Sequence, residues 1–267
     1  MEKSERLKII PERVSYSALV NFNNCGHYYE NVNLKKLKPA ITTPDMAFGT
    51  LIHTYTQAVL MADMSALSAS IKFKTTWDRF NSFWKLNVKY KNYSAIGEKA
   101  VLNIENFLKE SFGNFKVKHV EYNIENPIPG YPQYFKGFID IVLQLENKKI
   151  VIIDLKTAAS FYFFEQYRDK VKDYQISLYK KYYSGLEKIS LDDISTYFVV
   201  FEKSISSKKP INVVEVGSSN KKLENAEEWL NNALRLINAG KFYKNLKNCR
   251  KYGDNNICSF YRTDNCQ

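Results

Sequence analysis

Long apolar runs are absent from this sequence of 267 residues. No segment approaches the roughly 20 consecutive apolar residues that a membrane-spanning helix needs. Residues 1–8 are mostly polar and charged, and they lack the apolar stretch of a signal peptide. We therefore expect a cytosolic protein with no membrane partner.

Glycine, proline and cysteine are also scarce. The 10 Gly and 7 Pro residues argue against a linker-rich or disordered chain. No Gly-x-x-x-x-Gly-Lys-[Ser/Thr] phosphate loop occurs, so any helicase activity would have to belong to a separate protein. In a cytosolic protein, the 4 cysteines indicate free thiols or metal ligands in preference to disulfides.

The composition that remains is globular and basic. With 45% hydrophobic residues, the chain can bury a core, and we predict a single domain over 1–267. We expect a helical insertion at about 62–112 and a cysteine-containing tail at about 248–267. The net charge of +11 favours a polyanionic partner, although membrane-surface or ribosome-like binding also fits it. The 19 Tyr and 17 Phe residues include candidates for stacking on unpaired bases.

The most informative stretch is 137–157, where two β-branched apolar runs flank a polar Glu-Asn-Lys-Lys break. This pattern predicts a β-hairpin. Asp140 interrupts the first run, and Asp154 and Lys156 end the second. A carboxylate inside a buried strand costs on the order of several kcal/mol unless it is paired or binds a metal. Folding alone therefore gives no reason for these acids.

The length of the hairpin loop decides whether the acids meet. Asp154 and Lys156 are two residues apart, so they share one face of their strand. A two-residue turn at 147–148 would place Asp140 opposite Leu155, on the wrong face. A three-residue loop or a bulge would place it opposite Asp154 or Lys156. We predict the three-residue loop.

Two carboxylates and an ammonium in one pocket suit the hydrolysis of a phosphodiester. The carboxylates suit Mg²⁺ or Mn²⁺, which lowers the pKa of a bound water. The ammonium adds positive charge where negative charge develops. The alternative is structural: an acid on an edge strand and a solvated Asp-x-Lys pair.

Residues elsewhere in the sequence could join this site. Thr43 and Pro44 predict the start of a helix, on which His53 lies off the apolar stripe. His53 is therefore either a metal ligand or a structural surface histidine. Glu121, on a predicted strand at 119–125, could reach the site or remain a solvated acid.

Further elements follow from periodicity. We predict helices at 68–112, with breaks near 93–94 and Gly97, at 160–184 and at 220–248. Within the second of these, Gln175 and Tyr179 are four residues apart and share a face. We expect strands at 195–202 and 211–216.

Taken in order, these segments resemble the RecB-like branch of the PD-(D/E)XK nuclease superfamily, over nearly the whole chain. Each motif alone is weakly specific, and the specificity comes from finding five in the same order. The motifs are Tyr16–Cys25 (Tyr-Ser-Ala-Leu-Val-Asn-Phe-Asn-Asn-Cys), Phe48–His53 (Phe-Gly-Thr-Leu-Ile-His), Gly137–Asp140 (Gly-Phe-Ile-Asp), Asp154–Thr157 (Asp-Leu-Lys-Thr) and Gln175-x-x-x-Tyr179.

The resemblance implies an α/β fold, with a restriction-endonuclease-like central mixed β-sheet flanked by helices and helical N-terminal and C-terminal elaborations. It implies Mg²⁺- or Mn²⁺-dependent cleavage of DNA. The sequence departs from the family motif at one point: Asp140 follows Gly-Phe-Ile, where the motif has Pro before the Asp. The implied metal ligands are His53, Asp140, Asp154 and Leu155, and the other implied catalytic residues are Lys156, Gln175 and Tyr179.

Many members of that branch hold a [4Fe–4S] cluster on one early and three late cysteines. This chain has Cys25, Cys249, Cys258 and Cys266, so the resemblance implies a cluster. A structural Zn²⁺ and four unconnected thiols remain alternatives, because the usual tight Cys-x-x-Cys step is missing.

We therefore predict a metal-dependent DNA nuclease, expected to be an exonuclease on single strands or DNA ends. Recombination, repair or replication is the expected setting, with a separate helicase or recombination protein as partner. The alternative is a catalytically degenerate nucleic-acid-binding or assembly module with a Cys₄ structural metal.

Overall fold

The structure is a computed structural model that describes residues 10–37, 43–85, 88–204, 207, 209–217, 219–248, 258–261 and 263–266. The chain forms two compact units. The first comprises 1–41, 124–137 and 224–267, and the second comprises 42–123 and 138–223. Whether they act as the single domain predicted from the sequence stays a prediction.

A six-stranded mixed β-sheet organises the fold, as predicted. Its order is β1-β3-β4-β5-β6, and β2 also pairs with β3. The pairs β1–β3 and β4–β5 are parallel, whereas β3–β4 and β5–β6 are antiparallel. The strands are β1 (Arg13–Ser15), β2 (Phe115–Pro127), β3 (Tyr134–Leu145), β4 (Ile150–Ala158), β5 (Ile194–Glu202) and β6 (Ile211–Glu215).

Helices flank the sheet. They are α1 (Tyr16–Asn24), α2 (Gly26–Tyr29), α3 (Pro44–Leu60), α4 (Ala66–Trp84), α5 (Val88–Lys91), α6 (Tyr93–Phe112), α7 (Phe161–Tyr167), α8 (Lys170–Glu187) and α9 (Asn220–Asn238). A π-helical turn, Glu30–Leu34, follows α2. No helix in the described part of the chain is long and apolar enough to cross a membrane.

The hairpin of β3 and β4 has the predicted three-residue loop. The Leu145 N–H donates to the Lys149 carbonyl at 2.9 Å, which leaves residues 146–148 in the loop. Lys148 adopts a left-handed conformation, with φ of 66°, as the third residue of such loops commonly does. The register pairs Ile141 with Ile153.

Three sequence-based boundaries were wrong. Residues 160–184 form two helices, because the chain is extended at Arg168 and Asp169. The helix predicted over 220–248 ends at Asn238, where Gly240 (φ 68°) supplies the left-handed turn that stops it. Gly97 lies inside α6 and breaks nothing.

The main core of the second unit lies between the sheet and the helices α3, α4 and α6. The N-terminus of α3 is capped as predicted, since the Thr43 hydroxyl accepts the Met46 N–H at 3.2 Å. Ile153 and Leu155 of β4 belong to this core. Side chains alternate along a strand, so Asp154 and Lys156 lie on the other face, where α8 packs against β4 and β5.

The first unit joins both ends of the chain. Its β1 pairs with the beginning of β3. The ring of Tyr16 in α1 lies 5.7 Å from that of Trp229 in α9. His27 Nε2 and Asn31 Nδ2 contact the Asn265 carbonyl at 2.6 and 2.9 Å. The first helices are therefore held against the C-terminal residues.

Candidate active site

Asp140 lies at the point where the paired part of the β3–β4 hairpin ends. Continued by one residue, the register of Ile141 with Ile153 places Asp140 opposite Asp154. The Asp140 carboxylate accepts the Leu155 N–H through Oδ2 at 2.7 Å. Its side chain therefore fixes the backbone of β4 beside the predicted site, and it is 8% exposed.

Asp154 and Lys156 form a close ion pair on the α8 face of the sheet. Lys156 Nζ lies 2.5 Å from Asp154 Oδ2, and Asp154 is 2% exposed. Burial raises the pKa of Asp154 to about 6 and the negative charge of Asp140 adds to the rise, against the opposing effect of Lys156. Two neighbouring acids thus share a region that one lysine only partly neutralises.

Lys156 also reaches the two polar residues predicted on α8. Its Nζ donates to Gln175 Oε1 at 3.0 Å, and Gln175 Nε2 donates to the Tyr179 hydroxyl at 3.1 Å. Burial, together with the charge of Asp154, raises the pKa of Tyr179, so its phenol stays protonated. An ion pair followed by two hydrogen bonds therefore connects Asp154 to Tyr179 through Lys156 and Gln175.

His53 approaches from α3. Its Nε2 lies 3.1 Å from the Leu155 carbonyl oxygen, and its Nδ1 lies 3.4 Å from Asp140 Oδ1. Burial lowers the pKa of His53, but the hydrogen bond and charge of Asp140 outweigh burial, and the net pKa is raised. The backbone of α3 approaches β4 closely here, since a Cβ at Gly49 would lie 3.6 Å from the Thr157 hydroxyl.

Glu121 joins the site from β2, which the sequence left undecided. Ligand atoms of His53, Glu121 and Asp140 all lie within 4.8 Å of one another. Gln57 Nε2 donates to the Glu121 carboxylate. Only a weak signal for this residue is present in the sequence, because its proximity to Gln57 and Asp140 depends on long-range packing.

The site thus has two sides that meet at Asp140. His53 and Glu121 lie on the α3 side, whereas the pair Asp154–Lys156 continues to α8. Asp154 is outside the three-residue group within 4.8 Å. Carboxylate oxygens and an imidazole suit Mg²⁺ or Mn²⁺, and a divalent cation would relieve the repulsion between the buried acids. The donor set therefore fits the predicted metal.

The cysteines belong to the first unit, whereas His53, Glu121 and Asp140 belong to the second. The Cys25 sulfur accepts the Asn245 N–H at 3.4 Å. Cys25, Cys258 and Cys266 are partly buried and form no disulfide. They do not form a metal-ligand group of three among the described residues. Cys249 lies outside the described residues.

Comparison with known proteins found one matching family model and several similar solved structures. The family model described as the PD-(D/E)XK nuclease superfamily matches residues 13–260. An inferred exonuclease from Eubacterium rectale has a TM-score of 0.58 at 13% identity, covering 92% of this chain and 89% of that one. The protein SSO0001 has a TM-score of 0.43 at 16% identity, covering 94% and 84%. No curated protein sequence matches the chain significantly.

Proposed function

The chain belongs to the PD-(D/E)XK nuclease superfamily, and we propose that it is a Mg²⁺- or Mn²⁺-dependent deoxyribonuclease acting as an exonuclease. The observation that carries this proposal is the buried Asp154 beside Asp140, with Lys156 Nζ held 2.5 Å from Asp154. A protein that only bound nucleic acid would gain nothing from burying acids where a phosphate must approach.

The metal would be held by His53, Asp140, Asp154 and the carbonyl oxygen of Leu155. When bound, it would neutralise phosphate charge and lower the pKa of a water molecule. Asp140 fixes the chain at Leu155 through its hydrogen bond to the backbone. The buried positions of Asp140 and Asp154 limit the access of bulk water, which strengthens electrostatic interactions in the site.

Lys156 would supply the positive charge beside the attacking oxygen. Asp154 and Gln175 hold its ammonium between them, so the charge is already oriented before substrate binds. Tyr179 would act through hydrogen bonds and not by proton transfer, because its raised pKa keeps the phenol neutral. We propose that Gln175 and Tyr179 position the phosphate or the water.

An exposed aromatic surface supports an unpaired DNA strand as substrate. Tyr162, Phe163 and Tyr167 of α7 are 60%, 62% and 73% exposed, and neighbouring rings in this set lie 5.5 and 5.9 Å apart. Phe164 of the same helix packs 5.8 Å from Phe198, whose ring lies 5.7 Å from Lys156 Nζ. Aromatic rings next to a phosphodiesterase site suit stacking on unpaired bases.

We place the protein in the RecB-like branch, with a role in recombination, repair or replication and a separate helicase as partner. His53 beside Asp140 supports the branch, because the resemblance places a histidine in its metal site. A cytosolic location is part of this proposal. The net charge of +11 supports a DNA partner.

A [4Fe–4S] cluster, or Zn²⁺, on the four cysteines stays a prediction. A contact within the first unit supports this prediction: the Cys25 sulfur accepts the N–H of Asn245, four residues before Cys249. The neighbouring His27 contacts Asn265, next to Cys266. A cluster or Zn²⁺ bound there would connect the N-terminal helices to the C-terminal tail.

Digestion of labelled single-stranded and duplex DNA with Mn²⁺, with and without chelator, tests the proposed function. We expect chelator-sensitive cleavage with a preference for single strands. Asp140→Ala, Asp154→Ala and Lys156→Ala should each lower the rate at least about a hundredfold and largely spare DNA binding.

Lys109→Ala is the matched control for loss of a lysine. Lys109 pairs with Glu105 on the exposed surface of α6, so its loss should leave the rate unchanged. Full activity in Asp154→Ala would refute the assignment. DNA binding without any cleavage in the wild-type protein would favour the alternative of a degenerate binding module.

A further inference from the structure

We propose that Glu121 is an additional side-chain ligand of the catalytic metal, contributed by β2. The proposal rests on the proposed function and adds to it a residue outside the five motifs that carry the family resemblance. It adds β2 to the elements that would bind the metal.

The first support is distance. Donor atoms of His53, Glu121 and Asp140 lie within 4.8 Å of one another. Two ligands of one octahedral Mg²⁺ or Mn²⁺ stand about 3 to 4 Å apart, given bonds of about 2.1 Å. A small rotation of the Glu121 side chain, which is exposed, therefore suffices to complete the group.

The second support is the backbone. Glu121 lies within β2 at φ 50°, a left-handed conformation that is unfavourable for a residue with a Cβ and usual for glycine. Such outliers persist where the surrounding structure holds them, and they concentrate at functional sites. Glycine would adopt this conformation with less strain, so the outlier agrees with a functional role for Glu121 without establishing one.

The third support is the partner of the carboxylate. Gln57 donates to Glu121, and it lies on α3 one helical turn after His53. One face of the helix therefore carries both a ligand and the amide that orients a second ligand. Outer contacts of this kind fix the direction of metal-binding carboxylates. Gln57 is itself buried, which limits its own movement.

The opposite face of β2 is already occupied by a different contact. Lys118 and Tyr122 both bind Glu187 of α8, at 2.7 and 2.8 Å. Glu121 lies toward α3 instead, where Gln57 donates to its carboxylate. The residue belongs to a strand and not to a flexible loop.

The test is Mn²⁺ binding, measured by calorimetry and by electron paramagnetic resonance of free Mn²⁺, on the full chain. We expect Glu121→Gln to weaken Mn²⁺ binding at least about tenfold. Glu121→Gly accepts the left-handed conformation and also lacks the carboxylate, so it should lose Mn²⁺ affinity to the same extent.

Glu146→Gln is the matched control. It removes one carboxylate at the loop end of β3, about 20 Å along the strand from Asp140, and should leave Mn²⁺ affinity unchanged. If Glu121→Gln binds Mn²⁺ within twofold of the wild type, the proposal is overturned, while chelator-sensitive DNA cleavage by the wild type would leave the proposed function intact. A wild-type protein that binds no Mn²⁺ would overturn both.

Discussion

Asp140 is the residue through which the candidate site is held together. It accepts the Leu155 N–H, contacts His53 and raises the pKa of the buried Asp154 by its charge. An acid in this position destabilises the metal-free protein, because like charges repel in a region of low dielectric constant. The arrangement is explained by a cation that the acids bind together.

Glu187 gives a prediction about pH. Hydrogen bonds from Lys118 and Tyr122 lower the pKa of Glu187. A carboxylate with a lowered pKa in the folded protein stabilises it above the unfolded value of about 4.3, and the stabilisation is lost as the pH falls below that value. We expect Glu187→Gln to cost about 1–2 kcal/mol at pH 7, and much less near pH 3, in urea unfolding.

The control is Glu105→Gln, which breaks an ion pair of equal length. Lys109–Glu105 and Lys118–Glu187 both measure 2.7 Å, but the side chains are 54% and 48% exposed in the first pair and 27% and 24% in the second. Exposure weakens an ion pair, so the control should cost at most about 0.5 kcal/mol. Equal losses in the two variants would contradict this account.

Gly97 allows the helices α4 and α6 to pack closely against each other. A Cβ at this position in α6 would lie 2.0 Å from the ring of Phe73 in α4, and Phe73 is fully buried. We expect Gly97→Ala to destabilise the protein by about 1–3 kcal/mol through overpacking, measured by urea unfolding.

Gly185→Ala in α8 serves as the comparison. A Cβ there would meet nothing within 4 Å, so the better helix propensity of alanine should stabilise the protein by about 0.5–1 kcal/mol. Addition of Phe73→Leu to Gly97→Ala should recover part of the loss. Stabilisation by Gly97→Ala alone would show that the ring is not the obstacle.

The aromatic surface of α7 gives a prediction about substrate. We expect the combined change of Tyr162, Phe163 and Tyr167 to alanine to weaken binding of a single-stranded oligonucleotide at least about tenfold, since each stacked base contributes about 1–3 kcal/mol. Duplex binding should change little. Fluorescence anisotropy in the presence of chelator measures both without cleavage.

Replacing three exposed apolar side chains of α4 controls for a general effect of losing exposed apolar surface. Leu67, Ile71 and Phe83 are 61%, 52% and 83% exposed, and their replacement by alanine should leave single-strand affinity unchanged. Equal weakening by both sets would mean that α7 has no specific role in stacking.

The overall charge of the protein is positive, whereas its candidate site is rich in acidic residues. The protein carries 39 Lys and Arg residues against 28 acids, yet the candidate site concentrates acids. This division suits a protein that attracts a polyanion over its surface and holds a metal where the chain of the polyanion is cut. The metal-ligand group lies in the second unit.

Local chemistry in the sequence was enough for several elements. The three-residue hairpin loop and the shared face of Asp154 and Lys156 follow from the period of two along a strand and from loop length. The start of α3 follows from Thr43 and Pro44. Where local signals were ambiguous, as at Gly97 and at 160–184, the predicted boundaries failed.

Local residue patterns were enough to predict the hairpin and the acids within it, because these depend on neighbouring residues and short periodicities. The fold class was implied by the resemblance to a known family. Long-range packing brings Glu121 beside His53 and Asp140. It also brings Gln57 to Glu121 and Gln175 to Lys156. Those contacts join α3, β2, β3, β4 and α8 across long sequence separations. Such contacts depend on packing, which no local pattern of residues encodes.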